Sequence, residues 1–222
     1  MLTKLKPTIA LIDSGIGGIS VLKALIKRYG SGNYIFYADN EFMPYGNKTK
    51  EFVDSRMQQI INYLNKNYLP DIIIIACNTA STSITESKQN IVKMEVNSTI
   101  PTLATPLTKR NMQTDNIIED KTLAEMVEKH LLDKDKMKSI IKQHIKRLKL
   151  DQFKTLILGC THYELVSEYF KEYCKGTEIV NNSSNLVKKL DFKPNNTQTN
   201  ILLLQSKKDQ NFNNKMWQIL SN

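Results

Sequence analysis

The sequence predicts an α/β protein built on mainly parallel sheets, with a site at the strand ends. Three stretches predict it. In Asp71–Ser81, DIIIIACNTAS, four consecutive isoleucines read as a strand buried on both faces, the pattern of a parallel sheet. The apolar run stops at Ala76, Cys77-Asn78-Thr79 follows at once, and Thr79, Ser81 and Ser83 are candidate caps for a helix start. The same construction returns at Thr155–Tyr163, TLILGCTHY, where a short apolar strand ends in Cys160-Thr161-His162. The third stretch, Thr8–Asp13, is a strand that runs into Asp13-Ser14-Gly15-Ile16-Gly17-Gly18. Glycines there allow a sharp turn and close approach of a ligand. Open α/β sheets bind ligands at such corners. Helix N–H groups there favour an anion and a thiolate. Two alike corners in one chain point to two half-sites facing one another.

The remaining elements follow in order. After the glycines, Ile19, Leu22 and Ile26 mark a helix, and Tyr34–Asp39 is a second strand. An acid ending strand two after a Gly-rich turn is a weak dinucleotide signal. Ser20 stands where the third glycine belongs, and Asp13 points where pyrophosphate would sit. Asn40–Lys50 is a loop with a Pro44-Tyr45-Gly46 turn. Glu51–Asn65 has helical spacing through Phe52, Met57, Ile60, Ile61 and Leu64. Lys93–Pro101 is polar and irregular and marks a domain boundary. Thr102–Thr105 with Pro106 is a short strand ending in a turn, and Lys121–Leu132 and Lys134–Leu150 are amphipathic helices. In the second of these, seven lysines and arginines face away from the Met137, Ile140, Ile141, Ile145, Leu148 stripe. Such a face could meet nucleic acid, but it more often meets solvent. His130 and His144 lack partners at metal-ligand spacing and read as surface or packing residues. A helix through Leu165, Val166, Tyr169 and Phe170 carries Cys174 as a packing residue. Asn181–Lys193 starts as a polar loop, Asn200–Gln205 is a last strand, and a short helix holds Trp217.

At 222 residues and 41% hydrophobic the chain can bury a real core. No apolar run is long enough to span a membrane, and the start lacks a signal peptide's apolar core, so the chain reads as cytoplasmic. Three cysteines, two of them after buried strands, argue for reduced thiols rather than a disulfide framework. The net charge of +9 is scattered, without the aromatic interleaving of single-strand readers, which makes a nucleic-acid partner unlikely on composition. The sequence does not fix the oligomeric state; a homodimer is compatible with it.

Two cysteines facing each other across a small anion suit removal of a proton from one face of a carbon and delivery to the other. One acts as thiolate and its partner as thiol. Removing an amino-acid α-proton leaves a carbanion that needs donors at the carboxylate. Asn78, Thr79, Thr161 and backbone N–H groups can supply them. Asp13 and His162 are the other titratable groups at strand ends and can tune the two sulfurs. No nucleophile elbow, P-loop or zinc-spaced cluster competes.

IDSGIGGISVL, YADNEFMPYGNKT, ACNTAS, LATPLT, LAEMVEKHL and LILGCTHYEL, in this order from about residue 8 to 170, resemble the glutamate racemases of the cofactor-independent aspartate/glutamate racemase superfamily. The resemblance implies two pseudo-twofold-related, doubly wound α/β domains with the active site between them. The expected division is 1–95 plus 183–222 for the first and 96–182 for the second. It implies Cys77 and Cys160 as catalytic residues, assisted by Asp13, His162 and Glu128. It implies Asp13, Ser14, Tyr45, Gly46, Asn78, Thr79, Thr161 and His162 as substrate-binding positions. It further implies an amino-acid substrate, D-glutamate supplied to peptidoglycan, and no metal or pyridoxal phosphate. Two departures stand out. The segment Ser83–Pro101 is too short for the family's further strand and acidic turn, which predicts a reduced second domain. Asn181-Asn182-Ser183-Ser184 replaces the family's Asp-Ser. A racemase of aspartate or another acidic amino acid, and a non-catalytic member binding protein or nucleic acid through Lys134–Leu150, are the alternatives. Retention of both cysteines speaks against the latter.

Overall fold

The computed structural model describes residues 7–85, 90–97, 99–190 and 199–221. Strand β1 (Thr8–Asp13), helix α1 (Ile19–Tyr29), β2 (Asn33–Ala38), α2 (Lys50–Tyr68), β3 (Ile72–Ile75), α3 (Asn78–Ser83) and β4 (Ile91–Lys93) come first. Then follow β5 (Thr102–Ala104), α4 (Pro106–Met112), β6 (Ile117–Glu119), α5 (Leu123–His130), α6 (Lys134–Leu148), β7 (Thr155–Leu158), α7 (Thr161–Leu165) and α8 (Ser167–Tyr173). The chain closes with β8 (Glu178–Asn181), α9 (Asn182–Lys189), β9 (Asn200–Gln205) and α10 (Gln210–Ser221).

These form two α/β domains. One sheet has the order β4-β3-β1-β2-β9, the other β6-β5-β7-β8, and every pairing in both is parallel. The isoleucine run explains the first sheet. Successive side chains of a strand point to opposite faces. Ile74 accordingly joins Ile9, Leu11 and Leu22 in one core layer. Ile73 and Ile75 join Ala10, Ile12, Met57 and Ile60 in the other. Burial on both faces is why no polar alternation is visible there. In the second sheet Leu103, Leu156 and Leu158 pack beneath Val127, Met137, Ile141 and Phe170 of the helices. Among the described residues no helix is long and apolar enough to cross a membrane.

Several local expectations need correction. Ile91–Lys93, in the stretch read as too short to hold both a strand and an acidic turn, does form a strand, and it pairs with β3 at the edge of the first sheet. Three apolar or half-apolar residues at an edge leave little periodic signal. The start of the Asn181–Lys193 segment is not a loop: β8 ends at Asn181 and α9 begins at Asn182. Leu186 and Val187 of α9 are buried in the core of the first sheet, which stabilises a helix of polar composition. The turn expected after Thr105 is helix α4, with Thr105 as its N-cap and Pro106 in its first turn. None of Thr79, Ser81 and Ser83 caps α3. Its N-cap is Cys77, and the Ser81 and Ser83 hydroxyls donate instead to the carbonyls of Ile75 and Thr79. The helix through Leu165 and Phe170 is broken at Val166 into α7 and α8. His144 is buried, with Nδ1 2.5 Å from Asp120 Oδ2, a packing role, and the basic side chains of α6 are mostly solvated.

Candidate active site

In each sheet the chain leaves one central strand in one direction and returns on its other side, and ligands sit at such switch points. In the first sheet the switch lies between β1 and β3, which end at Asp13 and Cys77. In the second it lies between β5 and β7, which lead into Thr105 and Cys160. Each corner thus pairs a cysteine at a helix N-cap with an oxygen-bearing side chain on the neighbouring strand's end.

The corners are bound to each other. Thr161 of the second corner donates its hydroxyl to Asp13 Oδ2 of the first at 2.9 Å. Glu128 of α5 accepts from the Ile16 N–H at 3.1 Å and holds His162 Nε2 at 2.6 Å with the same oxygen. Across the same seam the Thr79 and Thr105 hydroxyls lie 2.8 Å apart. The glycines permit this approach. A Cβ on Gly17 would lie 2.4 Å from Thr161 Oγ1, and one on Gly46 would lie 2.5 Å from Thr105 Cβ. The site is closed: Cys77 is 5% exposed and Cys160 6%, and Asp13 and His162 are buried.

The two sulfurs have different surroundings. Cys77 Sγ lies 3.9 Å from Ser14 Oγ. Burial pushes its thiol up, and the Asp13 charge adds to this; the Ala80 N–H and Ser14 only partly offset them. At Cys77, burial thus outweighs the pull of the helix start. Asp13 is also raised, by its burial, against the pull of His162, the Gly15 N–H and Thr161. Cys160 Sγ lies 3.9 Å from His162 Nδ1. Burial disfavours a charged His162, but its bonds to Cys160 and Glu128 outweigh that and hold its pKa well above the usual histidine value. One corner thus sets its sulfur beside a buried carboxyl, the other beside an imidazole whose charged form is favoured.

Sequence similarity decides the family. The glutamate racemase of Buchnera aphidicola subsp. Acyrthosiphon pisum (strain Tuc7) is 31% identical over 201 residues, 77% of this chain and 76% of its own length. Glutamate racemase 3 of Caldanaerobacter subterraneus subsp. tengcongensis is 30% identical over 195 residues, 77% of this chain and 72% of its own. The chain belongs to the glutamate racemase family. The fold agrees: a glutamate racemase isoform from Bacillus anthracis matches with a TM-score of 0.83 over 97% of this chain and 94% of that one, at 22% identity. No family model matches the chain.

Within this racemase-family site the structure also shows what the sequence reading left out. Tyr45 donates its hydroxyl to Asp39 Oδ2 at 2.5 Å. Arg56 grips the same carboxylate through Nε at 3.0 Å and Nη2 at 2.6 Å. Asp39 is thus the anchor of the Pro44-Tyr45-Gly46 turn, not a ribose ligand, and the dinucleotide alternative loses its acid. Thr105 and Thr108, whose hydroxyls lie 2.8 and 3.4 Å from Thr79 Oγ1, and Asn182, whose Nδ2 lies 2.7 Å from Asn78 Oδ1, were missed. Thr105 lay inside the LATPLT motif, whereas Asn182 had only its polar neighbourhood as a signal. Among the described residues no group of three or more His, Cys, Asp or Glu side chains could hold a metal ion.

Glu164, one turn beyond His162's corner, accepts from the Ser183 N–H at 2.9 Å. Ser20 and Asn181 line the same small cleft. Burial raises Glu164 from 4.5 to about 7. Between those values the folded chain holds a proton that the unfolded chain has lost, so this contribution to stability is lost as pH rises through about 7. Above that, the buried carboxylate costs on the order of 3 kcal/mol. In thermal melts from pH 5 to 8, Glu164→Gln should flatten the decline of the parent and be the more stable protein at pH 8. Parallel curves for the two would contradict the burial of this proton.

Proposed function

We propose that the protein interconverts L- and D-glutamate by two-base proton transfer, with Cys77 and Cys160 acting on opposite faces of the α-carbon. The observation that carries this reading is the pair of matched cysteine corners at the switch points of two sheets, joined by the Thr161–Asp13 and Glu128–Ile16 bonds. Asn78, Thr79 and N–H groups of the Ser14, Gly46 and Thr161 turns supply donors for the substrate's carboxylates, and such donors stabilise the carbanion as charge develops. Asp13 serves the Cys77 side; His162, backed by Glu128, serves the Cys160 side. The relatives' name, glutamate racemase, supports glutamate as substrate.

The division into 1–95 plus 183–222 and 96–182 puts both chain crossings beside the site, and opening about them would admit substrate. Three free thiols favour the cytoplasm, where D-glutamate would enter peptidoglycan synthesis. We expect no metal or pyridoxal phosphate in the reaction, and a homodimer is the assembly to test by sedimentation. Polarimetry on purified protein with L-glutamate, L-aspartate and L-alanine, before and after dialysis against a chelator, tests the reading. Turnover of glutamate that survives dialysis is expected. Preference for aspartate, loss of activity with the chelator, or no turnover at all would overturn it.

A further inference from the structure

We propose that Asn182 is a positioning residue that fixes which end of the Asn78 amide faces the substrate; this rests on the function proposed above. Asn182 Nδ2 lies 2.7 Å from Asn78 Oδ1 and 2.7 Å from the Glu95 carbonyl oxygen. A backbone carbonyl only accepts, so the Asn182 atom that meets it is the NH2 group. The same NH2 group then requires Asn78 to present its oxygen. The Asn78 Nδ2 is thereby turned away from Asn182, and it is buried with no hydrogen-bond partner among the described residues. A buried donor without an acceptor in the fold calls for one on a ligand, and a substrate carboxylate is the acceptor that the reaction brings.

The placement gives this chain of bonds a second consequence. Glu95 lies on the first crossing between the sheets, after β4, and Asn182 lies on the second, as the first residue of α9 directly after β8. Asn78 opens α3 beside Cys77. The donor orientation next to the catalytic thiol is therefore set where the chain passes twice between the domains, and it holds only while the two crossings stay together.

Asn182→Ala and Asn182→Asp separate this role from mere packing. Alanine leaves Asn78 free to turn either way, and the KM for glutamate should rise about tenfold with a smaller change in kcat. Aspartate can only accept, so Asn78 should turn its NH2 toward the new carboxylate and aim its oxygen at the substrate; a rise of about a hundredfold is expected. Asn182→Ser, which keeps one donor and introduces no charge, should fall between parent and alanine, and it covers the case in which the aspartate variant fails to fold. In an Asn78→Ala background all three variants should have equal KM values, because the group they orient is gone. Equal KM values for alanine and serine in the parent background, or a gap between them that persists in Asn78→Ala, would overturn the proposal. A parent that turns over no glutamate counts against the proposed function instead. Asn182 is then judged by side-chain 15N–1H spectra, where Asn182→Ala must shift the Asn78 amide pair and an unmoved pair overturns the assignment.

Discussion

Cys77→Ser and Cys160→Ser should each lose about a thousandfold or more in racemisation, while Cys174→Ser stays close to the parent. A serine hydroxyl is far less acidic than a thiol, so near neutral pH it supplies no base and is a poor proton donor. Two-base transfer needs both corners in each turnover, one to take the proton and the other to give one, so either substitution stops both directions. Cys174 lies in the core beneath the second sheet, away from both corners, and burial raises its thiol to about 11. Its replacement buries a hydroxyl and should cost on the order of 1–3 kcal/mol of stability without touching the chemistry. Initial rates from both enantiomers, with circular dichroism to confirm folding, check this. Comparable rates for the three variants would remove the cysteines from the mechanism.

Glu128→Gln should lower turnover about a hundredfold and move the alkaline limb of the pH–rate profile down. Glu128 is one of the two partners that keep His162 charged against its burial. Neutralising it takes away part of that support, so the imidazolium is lost at a lower pH than in the parent. Glutamine keeps an oxygen for the Ile16 N–H, so the seam between the corners should survive. Profiles of kcat for L- and D-glutamate between pH 6 and 10 would show the shift. An unchanged limb in both directions would mean that His162 does not serve Cys160.

Much of this was legible in the sequence because buried parallel strands and their Cys-Thr ends are local signals. TIALID, IIII and TLIL give nearly unbroken apolar runs, and each leads into residues of the candidate site. The same locality explains the omissions. β4 and β6 are three residues each and mainly borrow their stability from a neighbour, so neither carries a period of its own. α9 is helical because Leu186 and Val187 reach the core of the first sheet, far back in the chain, a contact no window of sequence contains. Asn182 and Thr105 matter through partners about a hundred and about thirty positions away, and only the fold brings these together. The environment of Cys77 was hidden for a related reason. A helix start can be read from residues, but the depth of burial and the Asp13 carboxylate beside it cannot.

The measurement that bears most directly on two opposed cysteines is isotope incorporation. With L-glutamate as substrate in D2O, stopped early, the thiol that delivers the proton has already exchanged with solvent. Nearly every D-glutamate formed should then carry deuterium at the α-carbon, while the remaining L-glutamate stays largely protiated, as its own base returns the proton it took. Mass spectrometry of the separated enantiomers reads both. Mostly protiated D-glutamate in the early product would mean that a single base carries the proton across, and that Cys77 and Cys160 do not flank the α-carbon.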